Sequence, residues 1–312
     1  MTDQHWQAWP HLDTSLRARV LTWVVRQTIR PRLGAMSNIE RVRKTFNLSL
    51  FPQPRGVEYE SGSVGGVPGE WVRPRAGAAG LKILYIHGGG FIACSPKTHR
   101  PVTGAFARRG FTVFVPDYRL APEHPFPAAI DDAVAVWRSF AAEGPAFVVG
   151  DSAGGNLALV LMVRARDESL PAPLAAVLFS PWTDLLGTGT SHKANAKRDA
   201  LFSPVALRQV AATYLGAADP SQPFASPLYA DLTGLPPLLI HCSESELLRD
   251  DAIQLAAKAQ SVGVRVSLNV FPVVGHVWQF AHSVVPEARR SLDEAASFLR
   301  QAFKSSSAAT EF

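Results

Sequence analysis

From about residue 81 onward the chain alternates between short apolar runs and longer stretches with helical periodicity. Residues 82–86, 111–115, 146–149, 175–179, 238–241 and 264–270 are apolar without alternation, the pattern of strands buried on both faces. Helical stretches fill most of the intervals, at 128–142, 154–166, 249–261 and 286–303. Right-handed strand–helix–strand crossovers then predict one doubly wound α/β domain, a central and mostly parallel sheet of about eight strands covered by helices on both faces. Upstream, 56–60 and 69–73 alternate in character and are joined by Ser61-Gly62-Ser63-Val64-Gly65-Gly66, which predicts an antiparallel pair at the sheet edge.

Two regions fall outside this alternation. Residues 16–47 carry a helical pattern that Pro31 interrupts, giving two short helices. The interval between Ser180 and Leu238 is too long for a simple crossover and holds one clear helix, with Ser203 as N-cap, Pro204 first and Gly216 past its end. Together they predict a helical cap over the strand ends, formed by residues 1–50 and an insertion at about 185–218; the bland alternative is a surface decoration. The main domain spans 51–304, and the Ser/Ala-rich stretch 305–312 reads as a disordered tail.

A chain of 312 residues with 47% hydrophobic content can bury a large core. The net charge is +5, yet charged residues are only 18% of the chain, and so diffuse a basic balance names no partner. The only basic concentration is Arg17, Arg19, Arg26, Arg30, Arg32, Arg41, Arg43 and Lys44, and no nucleic-acid role is expected of it. Cys94 and Cys242 lack the neighbours of a disulfide framework, zinc site or redox motif, so no metal is expected. The start of the chain lacks the pattern of a secretory signal, which makes the cytoplasm the default address. The apolar run 20–25 is too short to span a bilayer, so no stable membrane insertion is expected; a helix packed on its own domain is preferred over one lying on a membrane surface.

The strongest chemical signal is Gly150-Asp151-Ser152-Ala153-Gly154, which follows the apolar run 146–149 and opens a helix. A sharp strand–turn–helix corner presents Ser152 as a nucleophile, and the glycines at either side let strand and helix approach. A small-residue turn that merely packs a helix is the structural alternative. The second signal is His87-Gly88-Gly89-Gly90-Phe91 directly after the run 82–86. Backbone N–H groups in such a glycine run can hold the oxyanion of acyl transfer. Gly88 and Gly89 are the first choice, with Ala153 after the nucleophile; which two of the three glycines donate is left open. A phosphate loop is disfavoured, because the run has neither G-K-[ST] nor a helix-opening G-x-G-x-x-G.

A serine needs a base. His276 lies after the run 264–270 and before the last helix, where the base belongs in chain order, whereas His241 falls within a strand and His192 in the cap interval. The acid should follow the run 238–241, among Glu244, Glu246, Asp250 and Asp251. The two aspartates fall in the first turn of a helix, a capping position, and Glu244 leaves the strand too early. Glu246 is far enough along the loop to reach His276.

The glycine run, the stretch Tyr118-Arg119-Leu120-Ala121-Pro122-Glu123-His124-Pro125-Phe126-Pro127 and Gly150-Asp151-Ser152-Ala153-Gly154-Gly155-Asn156 together resemble the bacterial hormone-sensitive-lipase-like esterases, the family IV carboxylesterases of the α/β-hydrolase superfamily. Ser226-Pro227-Leu228-Tyr229 and Leu235-Pro236-Pro237-Leu238 are similar as well. The resemblance implies an α/β-hydrolase fold and a cofactor-free hydrolase of short to medium acyl esters, commonly a homodimer. The family usually places aspartate at the acid position; Glu246-Leu247-Leu248-Arg249-Asp250 has glutamate there. The stretch 118–123 reads as a structural ion-pair network. Two rival readings on the same fold are a serine amidase or peptidase and a non-catalytic ligand-binding receptor, although such receptors lose the base. Trp6, Trp9, Trp23, Leu201, Phe202 and Tyr214 suggest an apolar acyl pocket.

Overall fold

In the computed structural model, which describes residues 7–8, 14–34, 36–48, 50–78 and 80–310, the apolar runs become one sheet. Its strands are β1 (Gln7–Ala8), β2 (Val57–Val64), β3 (Val67–Pro74), β4 (Leu81–Ile86), β5 (Phe111–Pro116), β6 (Ala146–Asp151), β7 (Ala176–Phe179), β8 (Leu238–Ser243) and β9 (Val266–Phe271). The order is β1-β9-β8-β7-β6-β4-β5-β3-β2, parallel except where β3 pairs antiparallel with β5 and β2 with β3. The count exceeds the expected eight because the short β1 adds itself to the β9 edge, too brief to leave a periodic signal.

The helices are α1 (Leu16–Thr28), α2 (Arg30–Leu33), α3 (Ile39–Phe46), α4 (Pro96–Ala107), α5 (Ala128–Ala142), α6 (Ala153–Asp167), α7 (Ser191–Ala194), α8 (Pro204–Leu215), α9 (Arg249–Ser261) and α10 (Pro286–Thr310). Successive residues of one strand feed opposite cores, which is why the runs do not alternate. Leu84, Ile86, Val148, Leu178 and Ile240 pack with α5, α6 and α9 on one face. Ile83, Tyr85, Val149, Val177 and Leu239 pack with α4 and α10 on the other. Burial on both faces makes every such position apolar.

Several boundaries differ from the sequence reading. Strands β2 and β3 run on to Val64 and Val67, so only Gly65-Gly66 forms the turn; both glycines have positive φ, as a tight hairpin turn requires. Pro31 does not split the N-terminal segment into two helices. It opens the short α2, where a missing N–H costs nothing, and three helices result. The stretch 305–310 continues α10 instead of forming a tail, with the Ser305 hydroxyl bonded to the Gln301 carbonyl. Among the described residues no helix is long and apolar enough to cross a membrane.

The two outlying regions meet over the strand ends. Arg30 donates to the carbonyls of Ala196 and Asp199, tying α2 to the insertion that carries α7 and α8. Arg43 on α3 donates to the carbonyls of Ile92 and Ala121 and grips Glu123 through both terminal nitrogens at 2.7 Å. Helix α8 starts and stops as its residues specify: Ser203 Oγ accepts the Ala206 N–H, Pro204 sits in the first turn and Gly216 closes it at φ 59°.

Candidate active site

Strand β6 ends in a corner that carries Ser152 at φ 53° and ψ −120°, a conformation a side-chain-bearing residue holds only under strain. A Cβ on Gly150 would strike the Gly154 carbonyl, and one on Gly154 would strike the carbonyls of Ile86 and His87. Both positions therefore require glycine for close approach, and the serine is left at the N-terminus of α6 facing a cavity of about 520 Å³. Gln279, Ala281 and the other residues after β9 lead into α10, and the loop before them brings His276 to the same cavity.

His276 Nδ1 lies 2.8 Å from Glu246 Oε2, and both side chains are buried. The other carboxylate oxygen accepts the Ser243 N–H at 2.7 Å, so the acid is held at the C-terminal end of β8. Burial by itself lowers the His276 pKa, but the hydrogen bond and charge of Glu246 outweigh it and raise the imidazole above its ordinary 6.5. His276 Nε2 makes no hydrogen bond among the described residues, and it borders the cavity that Ser152 faces. Catalytic hydrogen bonds of this kind commonly tighten only with substrate in place. Phe202 packs edge-on against the imidazole at 5.0 Å.

The other acid candidates have different duties. Glu244 is half exposed near Arg198. Asp250 accepts from Thr190 and Ser191, and Asp251 accepts the N–H groups of Thr183 and Asp184, so both fasten the insertion to α9. Burial pushes Asp251 up to about 6, opposed by its His192 neighbour.

One assignment needs correcting. Gly88, a first choice as oxyanion donor, has its N–H committed to Asp151 Oδ1 at 3.1 Å. The N–H groups of Gly89, Gly90 and Ala153 make no such bond among the described residues. Gly89 and Gly90 hold φ of 119° and 64°, and a Cβ on Gly89 would collide with the Ala93 carbonyl. Beneath the loop, Asp151 also accepts the Tyr85 hydroxyl at 2.9 Å and faces His99 Nε2 at 3.2 Å. Burial alone would raise this carboxyl; His99, Tyr85 and the Gly88 N–H hold it below its usual value. His87 stacks on Tyr118 at 4.2 Å, and burial together with neighbouring His99 lowers it to about 3. Neutral and enclosed, His87 supports the loop and takes no part as a base.

Tyr85, His99 and Asp199 were not legible as site residues. Asp199 accepts the N–H groups of Leu201 and Phe202 through one oxygen and of Leu247 through the other, joining the cap to the acid loop. Asn195 does the same through the carbonyls of Glu244 and Glu246. Residues 118–123 are structural as expected: Tyr118 bonds the His87 carbonyl, Arg119 pairs with Asp132 and Glu123 with Arg43. Of the apolar residues read as pocket, Leu201 and Phe202 line the cavity, Tyr214 is buried against Phe91, and Trp23 points outward. Trp6 and Trp9 lie outside the described residues.

A serine at a strand–helix corner, lining one cavity with a histidine that is paired to a carboxylate, at the carboxyl ends of a parallel sheet, is the arrangement a serine hydrolase of α/β type requires. Residues 83–280 match the family model described as alpha/beta hydrolase fold. The chain is 40% identical to an acetyl-hydrolase of Streptomyces hygroscopicus over 86% of this chain and 98% of that protein. It is 37% identical to an esterase of Acinetobacter venetianus, over 80% and 84%. Among solved structures, an esterase from the bacterial hormone-sensitive lipase family superposes with TM-score 0.86 at 36% identity, covering 93% of this chain and 99% of that one. The chain belongs to the α/β-hydrolase family, among the hormone-sensitive-lipase-like esterases, and is an ester hydrolase.

Proposed function

We propose that the chain hydrolyses short to medium acyl-chain carboxylic esters through an acyl-enzyme on Ser152. The observation that carries this reading is the 2.8 Å contact of His276 Nδ1 with Glu246, which leaves Nε2 free at the cavity that Ser152 faces. His276 Nε2 takes the proton of Ser152 Oγ as the oxygen attacks the ester carbonyl. The negative oxygen of the tetrahedral intermediate is held by the N–H groups of Gly89, Gly90 and Ala153, aided by the positive end of α6. The intermediate collapses, the C–O bond to the alcohol breaks, and His276 returns the proton to the departing alkoxide. Water, deprotonated by the same histidine, then releases the acid and regenerates the serine. Glu246 fixes the tautomer and stabilises the imidazolium throughout.

The cavity volume and its apolar wall of Leu21, Val25, Phe46, Leu50, Phe202 and Trp278 support an acyl group of modest length. The test is hydrolysis of a short-chain nitrophenyl ester by the wild type and three variants. Ser152→Ala and His276→Ala should each lose about 10⁴-fold or more in kcat. Glu246→Gln should lose about 10³- to 10⁴-fold by the logic of a mis-set tautomer. Full activity in Ser152→Ala would overturn the mechanism, and full activity in Glu246→Gln alone would move the acid elsewhere. Preference for an amide over the matching ester would make the chain an amidase.

A further inference from the structure

Helix α1 carries two apolar stripes. The inner one, with Ala18, Leu21 and Val25, lines the cavity that Ser152 faces. The outer one is Leu16, Val20, Trp23 and Val24, exposed by 76%, 50%, 63% and 38%. Their spacing of i, i+4, i+7 and i+8 puts them on one side of the helix. At 100° per residue Arg17 lies along one edge of this stripe and Arg19 and Arg26 along the other. None of these arginines, nor Arg32 or Arg41 on the following helices, forms an ion pair among the described residues. Leu48 and Leu50, also exposed, stand at the mouth of the cavity.

We propose that the outer face of α1 docks on an anionic lipid surface, bringing the cavity mouth to esters dissolved in that surface. An apolar stripe bordered on both sides by arginine fits the boundary between acyl chains and negative headgroups: the apolar side chains enter, and the long cationic ones reach back to the phosphates. A second copy of the chain is a poorer occupant. A two-fold contact would set Arg17, Arg19 and Arg26 against their own counterparts, with no carboxylate on the stripe to offset them. A free solution role for the stripe is poorer still, since a tryptophan and a leucine are left in water at the centre of a charged frame. This inference goes beyond esterase activity itself and concerns where the substrate is met.

The test is co-sedimentation of the full chain with vesicles of phosphatidylglycerol and phosphatidylcholine, and with phosphatidylcholine alone. Two variants are compared, Leu16→Ser with Trp23→Ser, and Arg17→Gln with Arg19→Gln and Arg26→Gln. Hydrolysis of a soluble short-chain nitrophenyl ester, measured in parallel, reports folding, because none of these residues lines the cavity. Wild type should bind the anionic vesicles and bind the neutral ones weakly, and each variant should lose at least about tenfold in binding. Added salt should weaken the wild-type binding. Three results would overturn the proposal: no wild-type binding, variants that bind like wild type, or a wild-type dimer in solution that Leu16→Ser with Trp23→Ser converts to monomer. A chain that binds vesicles yet hydrolyses no ester would sink the esterase reading and leave this one standing.

Discussion

His276 is the residue at which burial and charge compete most directly. The base role proposed for it needs the neutral imidazole, while Glu246 favours the charged one and lifts the pKa above 6.5. The rising limb of kcat/KM against pH should therefore lie above 6.5, and Glu246→Gln should move that limb to lower pH, because burial then acts unopposed. A limb that stays in place in the variant would mean that Glu246 does not set the histidine's charge. Asp151 illustrates a different use of the same chemistry. It is buried and charged beside Ser152, but its acceptors are filled by Tyr85, Gly88 and His99, which fixes the loop that carries Gly89 and Gly90.

At the scale of elements, the site is made by four strand ends. The glycine loop follows β4, the serine follows β6, the acid follows β8 and the histidine follows β9, all at the carboxyl edge of parallel strands. The corner between β6 and α6 depends on missing side chains. Gly154→Ala should push the helix off the β4 end, because its Cβ meets backbone oxygens that cannot rotate away. We expect a stability loss of about 1–3 kcal/mol and loss of most ester hydrolysis, measured by thermal melting and by a nitrophenyl ester assay. Wild-type melting and activity in this variant would refute the close-packed corner. The insertion matters in the same way: Asn195 and Asp199 hold the Leu247 N–H and the Glu244 and Glu246 carbonyls, so the insertion positions the loop that carries Glu246.

For the molecule as a whole, two buried histidines each weaken the fold in acid. His87 and His241 are both lowered to about 3, chiefly by burial, with His241 bonded to the Ser291 hydroxyl at 2.8 Å. The folded state excludes a proton that the unfolded chain accepts near pH 6.5. Their contribution to stability is therefore full above about 6.5 and is lost as pH drops through the range toward 3, by about 1.4 kcal/mol per pH unit for each group. His241→Gln, which keeps a partner for Ser291 and lies away from the cavity, should show a shallower fall in Tm between pH 6 and 4 than wild type. Equal slopes would mean that His241 takes up its proton without unfolding.

Much of this was legible in the amino-acid order, because the features concerned are local. Apolar runs buried on two faces, a proline and glycine bracketing α8, and the glycines around Ser152 each follow from sterics within a few residues. The proposed order of Ser152, Glu246 and His276 rests on the same local cue, since each comes after a strand. Other features required tertiary structure, because they depend on which groups meet across long separations. Gly88 could not be told from Gly90 until Asp151, 63 positions away, was seen to take its N–H. His99, Tyr85, Asn195 and Asp199 bear no motif, and their roles arise only where helices and loops from distant segments close on the site. The outward turn of Trp23 was likewise undecided, because α1 is apolar on two sides and only packing chose which side faces the cavity. A sequence specifies such contacts through the fold as a whole: no short window holds both partners of a hydrogen bond that spans the sheet.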